Sequence, residues 1–565
     1  MTVHQSGAPI DFQALAFAYK RSPDQDAATP VRHPVVIVGA GPVGLATAID
    51  LAQHQIPVVL IDDDTALSNG SRAICFAKRT LEISDRLGCG ERMVDKGVVW
   101  QTGKVFFGDE QIYSFDLLPE EGHRRPAFVN LQQYYVEGFM LERAQEFPNL
   151  DIRWNSRLAG LREIDGGVEL TIETPEGKYD IQADWLVASD GGRSATRQLM
   201  GLESKGRTFR DRFLIADVKM KAEFPAERWF WFDPPFHRGQ SVLLHKQPDD
   251  VWRIDFQLGW DADPVAEREP ERVIPRVQAL LGKSTAFDLE WISVYSFVCL
   301  RMDKFRHGHV LFAGDSAHGV SPFGARGANS GIQDADNLAW KLRLVIEGRA
   351  PDALLDSYDA ERSYAADENI LNSTRSTDFI TPKNEASLDF RNATLELARD
   401  FAFARRIVNS GRLSVPAVLV NSPLNTPDTD AFTGKMVPGA VAADAPMLED
   451  GHHRWLLSAL GDSFKLVVFV ADASTPVPTE MELKTLGEGI GAIDLVIVAM
   501  PSSGEAARRA GATVLEDVDG LAAKRYDATS GTIYLVRPDQ HISARFRTFD
   551  LKTARRALLR AVAHS

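Results

Sequence analysis

The sequence predicts an α/β protein: a parallel-sheet domain interrupted by a β-rich insertion and followed by a smaller α/β unit. Three observations carry this. A β-branched run feeds a glycine-rich turn and an apolar helix at residues 35–52, VVIVGAGPVGLATAIDLA. Long β runs rich in Trp and Phe follow residue 211. Past about Gly434 the composition resets into buried strands, a hairpin and a last helix.

The first stretch organises the rest. Gly39 makes the turn, Gly41 lets a pyrophosphate approach bare backbone, and Gly44 lets helix and strand pack closely, with Pro42 and Val43 between them. The helix start offers N–H groups and partial positive charge to phosphates. A second strand, 57–61, ends in Asp62 and Asp63, and an acid there accepts hydrogen bonds from ribose hydroxyls. Strand, turn, helix and acid together indicate a dinucleotide site of Rossmann type.

With 565 residues the chain has room for two or three domains, and 44% hydrophobic and 25% charged residues is ordinary globular composition. The net charge of −15 argues against nucleic acid or an anionic membrane surface as partner. Cys75, Cys89 and Cys299 form neither a C-x-x-C pair nor a metal spacing, so no metal site is expected and a reducing, cytoplasmic setting is. No apolar run reaches the length of a membrane span, and residues 1–33 lack the order of a signal peptide.

In chain order, residues 1–33 read as an irregular arm with a short helix at 12–20. Residues 34–210 and 299–365 make the nucleotide-binding domain. A loop from Ser71 turns into a helix, and Arg72 sits either near the phosphates or on the surface as a loop cap. The helix at 132–143 is mostly core, with Gln133 (or Gln132) at its start placed to reach a cofactor. Strands at 151–154, 167–172 and 179–187 lead to Asp190, Gly191, Ser194 and Arg197, which alone read equally as a turn and cap. The insertion, 211–298, carries runs at 228–236, 241–245 and 251–258 and is expected to cover something flat and apolar. His245 and Arg253 alternate with apolar neighbours, so each points into that space or lies on a solvated edge. A strand at 309–313 then ends in Gly314 and Asp315, and a glycine-dense loop runs through Pro322, Phe323, Gly327, Ala328 and Asn329 into a helix. A strand, an acid and a glycine loop at a helix start again point to a cofactor. Residues 366–433 read as a helical connector and 434–565 as the last unit. The glycines at 487, 489 and 491 precede a strand instead of following one, so they make no second nucleotide site.

Taken together, the Gly39–Gly41–Gly44 turn, the Asp190–Gly191–Ser194–Arg197 motif and the Gly314–Asp315 loop resemble the single-component, class A flavoprotein aromatic hydroxylases. The length resembles the phenol hydroxylase and 3-(3-hydroxyphenyl)propionate hydroxylase branch, which has a C-terminal thioredoxin-like domain. The resemblance implies FAD as cofactor, NAD(P)H and O₂ as co-substrates, a small aromatic substrate and a homodimer. It implies Asp62 at the adenosine ribose, Arg72 and Gln133 (or Gln132) at the pyrophosphate and ribityl region, and Asp190 and Gly191 serving FAD and the pyridine nucleotide. Asp315 would hold the ribityl chain, and Pro322 through Asn329 would line the isoalloxazine and the substrate. In such enzymes a C4a-hydroperoxyflavin hydroxylates an electron-rich ring, and the site must exclude water. The aromatic sheet around Trp229, Trp231, Phe232 and Phe236 suits that enclosure, with Pro322 and Phe323 at the substrate, His245 as the substrate contact and Arg253 on the flavin or a substrate carboxylate.

The sequence departs from that pattern in three places. Ile74 stands near where phenol hydroxylase-like enzymes have an aspartate, so the catalytic base does not carry over. Ser321 stands where the first proline of a Pro-Pro pair is common, and the last unit has no C-x-x-C. Rival readings are Baeyer–Villiger or epoxidation chemistry on the same cofactor and a non-catalytic FAD-binding protein. Halogenation is disfavoured because Asp233 breaks the Trp-x-Trp-x-Ile-Pro pattern at Trp229–Trp231.

Overall fold

The computed structural model describes residues 11–68, 72–222, 224–408, 413–472, 474–501 and 512–564. Its first crossover is β1 (Val31–Val38), α1 (Pro42–Gln53) and β2 (Val58–Ile61), followed by β3 (Cys75–Ala77), α2 (Lys78–Arg86) and α3 (Gly90–Lys96). Next come β4 (Val98–Trp100), β5 (Thr102–Phe107), β6 (Glu110–Asp116), β7 (Phe128–Asn130) and α4 (Gln133–Ala144). β8 (Leu150–Arg153), β9 (Arg157–Ile164), β10 (Gly167–Thr174) and β11 (Gly177–Ala188) close the first segment, and β9 was not anticipated. Val35, Val36 and Ile37 are wholly buried because β1 is central, parallel to β2 on one side and β11 on the other.

The inserted sheet is built on two long strands, β12 (Ser204–Lys219) and, past α5 (Ala195–Leu199) and α6 (Pro270–Leu281), β16 (Asp288–Met302). Between them lie β13 (Arg228–Phe232), β14 (Ser241–Lys246) and β15 (Val251–Leu258). The chain then re-enters the first domain through β17 (Arg306–His307), β18 (Val310–Phe312) and β19 (His318–Gly319). The nucleotide-domain sheet runs β17-β18-β11-β1-β2-β8, and the inserted sheet runs β19-β16-β12-β15-β14-β13-β5-β6. Thus β5 and β6 join the inserted sheet from outside residues 211–298, with β5 parallel to β13.

Helices α7 (Gly327–Ile346), α8 (Leu354–Ile380), α9 (Glu385–Ala398) and α10 (Ala402–Ile407) follow. The last unit holds β20 (Pro446–Glu449), β21 (His452–Trp455), α11 (Leu456–Leu460), β22 (Lys465–Val470), α12 (Glu480–Gly487), β23 (Asp494–Ala499) and β24 (Thr513–Glu516). It ends with α13 (Leu521–Arg525), β25 (Ile533–Val536), β26 (Ile542–Phe546) and α14 (Leu551–Ala561). Its sheet order is β21-β20-β24-β23-β22-β25-β26. Among the described residues no helix is long and apolar enough to cross a membrane.

Two features differ from expectation. Over residues 12–20, where a single helix is expected, the arm forms a 3₁₀ turn at Phe12–Ala14, and a second such turn follows at Pro23–Asp26; residues 1–10 lie outside the described ones. Aromatic packing holds the arm instead: Phe12 meets Tyr135 and Phe139 edge-on, over Gly138, where a Cβ would come within 2.3 Å of its ring. The turn between β25 and β26, expected as an ordinary hairpin loop, is buried. Arg537 donates to both carboxylate oxygens of Glu361 on α8 (2.6 and 3.0 Å) and to Asp539, while Arg79 of α2 donates to the Asp539 carbonyl at 2.7 Å. Asn337 of α7 donates to Asp539, and Lys341 to Glu361.

Candidate functional site

The three glycines of the first turn do different things in the fold. A Cβ on Gly39 (φ +101°) would lie 2.5 Å from the Ser189 carbonyl oxygen, and one on Gly44 would lie 1.9 Å from the Gly39 carbonyl oxygen. A Cβ on Gly41 would meet no protein atom within 4 Å. Protein packing therefore requires two of the glycines, while the third opens onto free space at the start of α1. Pro42 takes the first helical position, and no side chain caps this helix end. Asp62 accepts the N–H of Ala40 (2.5 Å) and of Asp64 (2.8 Å), which ties the end of β2 to the turn; burial pushes its carboxyl up to about 6. Asp63 and Asp64 are exposed beside it, and among the described residues these three acids are the one group close enough to surround a cation.

The second and third motifs are joined by a contact that the sequence does not display. Asp190 Oδ2 accepts the N–H and hydroxyl of Thr196, both at 2.9 Å, while its Oδ1 is buried with no partner. Ser194 caps α5 by accepting the Arg197 N–H. The Arg197 guanidinium reaches the Ser316 carbonyl at 2.6 Å, fastening the end of β11 to the Gly314–Asp315 loop. That loop hangs on Asp334 of α7, which accepts from the Gly314 N–H (2.9 Å), His318 (2.6 Å) and Arg362 (2.6 Å). Burial alone would raise the Asp334 carboxyl, but His318 and Arg362 outweigh it and hold it below the usual range. Asp315 differs. Its side chain is exposed, yet the surrounding protein excludes enough water to push its carboxyl up, as expected on the floor of a cleft.

Val43 brings the elements to one point. Cβ atoms on Gly314 and on Gly331 would each press on its side chain, at 2.9 and 2.6 Å. The first turn of α1, the Gly314–Asp315 loop and the start of α7 are therefore in mutual contact. Pro322 is exposed at the loop between them, while Phe323 is buried against Phe213 and Phe297 (5.0 and 5.2 Å). Gly327 and Ala328 begin α7.

Several expected site residues have other contacts. The Asn329 side chain does not line an open space: it accepts from Ala77 N–H and Thr80 hydroxyl and donates to the Cys75 and Ala325 carbonyls. This is a correction, and its reason is that the start of α7 must be fastened to β3 and α2. Gln133 accepts the Ala73 N–H and donates to Ser68 and Glu137, stapling the loop on both sides of residues 69–71; Ser71 itself lies outside the described residues. Gln132 is buried and donates to the Pro248 carbonyl. Arg72 is exposed, and its carbonyl accepts from Arg253.

The inserted sheet divides its aromatics between two faces, because successive strand residues point opposite ways. Trp231 stacks on Phe106 and, with Trp229 and Phe236, joins the layer under α6. Phe230 and Phe232 join Phe213, Phe297 and Phe323 on the other, loop-facing side. Of Trp229, Trp231, Phe232 and Phe236, expected together around the substrate, strand alternation leaves only Phe232 on this side. His245 and Arg253 pair across β14 and β15, and Asp217 faces Arg253 from β12. Both His245 and Arg253 are buried, which rules out the solvated edge. Arg253 donates to both oxygens of Asp217 (2.8 and 3.0 Å). Burial, with Arg228 and Arg253 nearby, pushes the His245 pKa well below the usual value, so its imidazole is neutral. Sequence reading missed Arg228, Asp255 and Cys75 beside it, although counting by twos from Phe230 and Arg253 reaches the first two.

The fold and this convergence define a dinucleotide-binding α/β protein with a β-sheet laid over its cofactor cleft. The family described as FAD binding domain matches residues 32–373, and the chain belongs to it. The residues present fit that dinucleotide: open space at Gly41, an uncapped helix start, and an exposed Asp315 beside both. A 3-(3-hydroxy-phenyl)propionate/3-hydroxycinnamic acid hydroxylase of Mycolicibacterium smegmatis is 29% identical over 374 residues, covering 66% of each chain. The enzyme of that name from Shigella sonnei is 32% identical, over 58% of this chain and 59% of that one. The matched stretch thus spans just under two thirds of the one relative and about three fifths of the other. Among solved structures, the flavin-dependent monooxygenase PieE, in complex with FAD and substrate, superposes with a TM-score of 0.80 at 20% identity, covering 95% of this chain and 100% of that one, a likeness of fold. The p-nitrophenol 4-monooxygenase PnpA of Pseudomonas putida gives 0.61 at 26% identity, over 67% and 98%.

Proposed function

We propose that the protein is an NAD(P)H-dependent flavoprotein monooxygenase that hydroxylates a phenolic or hydroxylated aromatic substrate. The observation that carries this is the meeting of α1, the Gly314–Asp315 loop and α7 at Val43, directly beside a buried aromatic sheet face. FAD, when bound, supplies hydride acceptance and oxygen activation. The chain's own residues bind, orient and keep dry. The open side of Gly41 admits the pyrophosphate, Asp62 and Asp63 meet the ribose, and Asp315 the ribityl chain. Asp190, whose Oδ1 is buried without a partner, and Gly191 serve the same cofactor with Arg72. Pro322, Gly327 and Ala328 bring backbone to the ring, and the α7 start stabilises negative charge there. Phe230, Phe232 and Phe323 exclude water from the reacting side.

The same reading takes the last unit as thioredoxin-like without dithiol chemistry. Parallel β22 and β23 beside the antiparallel β25–β26 hairpin support it, as does the absence of cysteine after Cys299. A cytoplasmic homodimer completes the proposal. The test is NAD(P)H oxidation by the FAD-loaded protein against a panel of phenols and hydroxylated aromatic acids, with product and H₂O₂ quantified together. Stimulated oxidation with a hydroxylated product is expected; no stimulation by any compound would overturn the reading.

A further inference from the structure

Arg228 begins β13 on the loop-facing side of the inserted sheet and is 8% exposed. Its guanidinium has no hydrogen-bond acceptor among the described residues; Cys75 and Asp255 are only near it. A buried cation without a counter-charge is costly, and Arg253 shows the usual remedy in its paired bonds to Asp217. Arg228 lacks that remedy.

Two more unsatisfied groups share the corner. His245 has no hydrogen-bond partner on either ring nitrogen, and its Nδ1 is fully buried. Asp255, which pairs with Leu243 across β14–β15, has a buried Oδ1 with no partner. Cys75 of β3 closes the corner from the cofactor domain. Arg228 and Asp255 lie two strands apart and two residues out of line, about 12 Å at the backbone, and form no ion pair with each other. The corner therefore holds a buried cation and a buried carboxyl on one face of the sheet with no ion pair between them. A single ring bearing an acidic group and a hydroxyl satisfies both.

We propose that Arg228, assisted by His245, is the docking point for a carboxylate on the aromatic substrate, and that Asp255 accepts the hydrogen bond of its ring hydroxyl. This rests on the hydroxylase reading and narrows it to hydroxylated aromatic acids. Arg228 and Asp255 then set specificity by orienting the ring, with the carboxylate as the handle.

The test is a titration of the FAD-loaded protein with 3-hydroxybenzoate, 4-hydroxybenzoate and 3-(3-hydroxyphenyl)propionate, each beside its own primary amide, following the flavin absorbance. At least one acid is expected to bind about tenfold or more tighter than its amide, since that exchange keeps the shape while removing the charge and turning one acceptor into a donor. Arg228→Gln should erase the difference and Arg228→Lys restore part of it, while Asp255→Asn weakens acid and amide alike. Equal binding of acid and amide, no binding by any acid, or a preference that survives Arg228→Gln would overturn the proposal. Should Arg228→Gln fail to fold, the wild type is titrated with 3-hydroxyphenyltrimethylammonium, and binding as tight as that of the acids would overturn it. NAD(P)H oxidation stimulated only by neutral phenols would sustain the hydroxylase reading while removing this one. Selective acid binding without any turnover would do the reverse.

Discussion

Gly41 and Gly44 look alike in the sequence and separate cleanly in the structure. Gly41 has ordinary φ (−72°) and open space where a Cβ would stand, so Gly41→Ala should change stability by no more than about 1 kcal/mol. The same methyl would project into the space offered to the cofactor, and FAD affinity should fall by about tenfold or more. Gly44→Ala should instead destabilise the apoprotein itself, by about 3 kcal/mol, since its Cβ would meet backbone. Chemical unfolding and FAD titration of both variants check this; equal loss of stability in the two would refute it. Asp255 carries a pH signature at the same scale. Burial pushes its carboxyl up to about 6 from an ordinary 3.8. Between those values the folded chain keeps a proton that the unfolded chain has lost. The penalty is therefore absent at pH 3 and grows through pH 4–6. It is complete above pH 6, at most about 3 kcal/mol. Asp255→Asn should stabilise the apoprotein at pH 8 and leave it unchanged at pH 3, as measured by urea unfolding.

At the scale of elements, α7 is the member on which the cleft depends. Asp334 gathers Gly314, His318 and Arg362, and Asn329 gathers β3 and α2. Asp334→Ala would leave Arg362 buried beside an imidazole with no carboxylate, which should cost about 3–5 kcal/mol. The melting temperature and FAD content should fall together. The turn of Gly39, Gly41 and Gly44, the strand periods and the acid after β18 were legible because each is a local pattern with its own physical cause. Asn329 was not: its four bonds go to residues some 250 positions away or to a carbonyl in its own turn, and nothing local marks it as a clip. The split of Trp231 from Phe232 was available from strand alternation alone. It was obscured because the aromatic run was read as one surface. Arg228 and Asp255 were hidden for a further reason, since a buried charge is told from a surface charge only by what lies across the sheet.

At the scale of the molecule, the two units meet through ions as well as apolar packing. Arg537, Asp539, Glu361 and Lys341 are fully buried, and their mutual charges outweigh burial to hold Glu361 well below the usual carboxylate range. Replacing one partner leaves the others uncompensated. Arg537→Met should therefore cost about 3–5 kcal/mol and divide a single calorimetric transition into two as the last unit melts separately. One undivided transition at an unchanged temperature would show that the apolar contacts suffice.

That buried turn bears on Asn337 and Lys341, one and two helical turns beyond Asp334 along α7, and on Glu361 of α8, next to Arg362. The same α7 begins at Gly327, beside Pro322, and touches α1 at Val43. The two ends of the helix are thus coupled as the ends of a lever are, with the last unit as the bearing behind it. Through α7 the last unit helps fix how far the cleft can yield, and a lesion there would register first as a loosened cofactor.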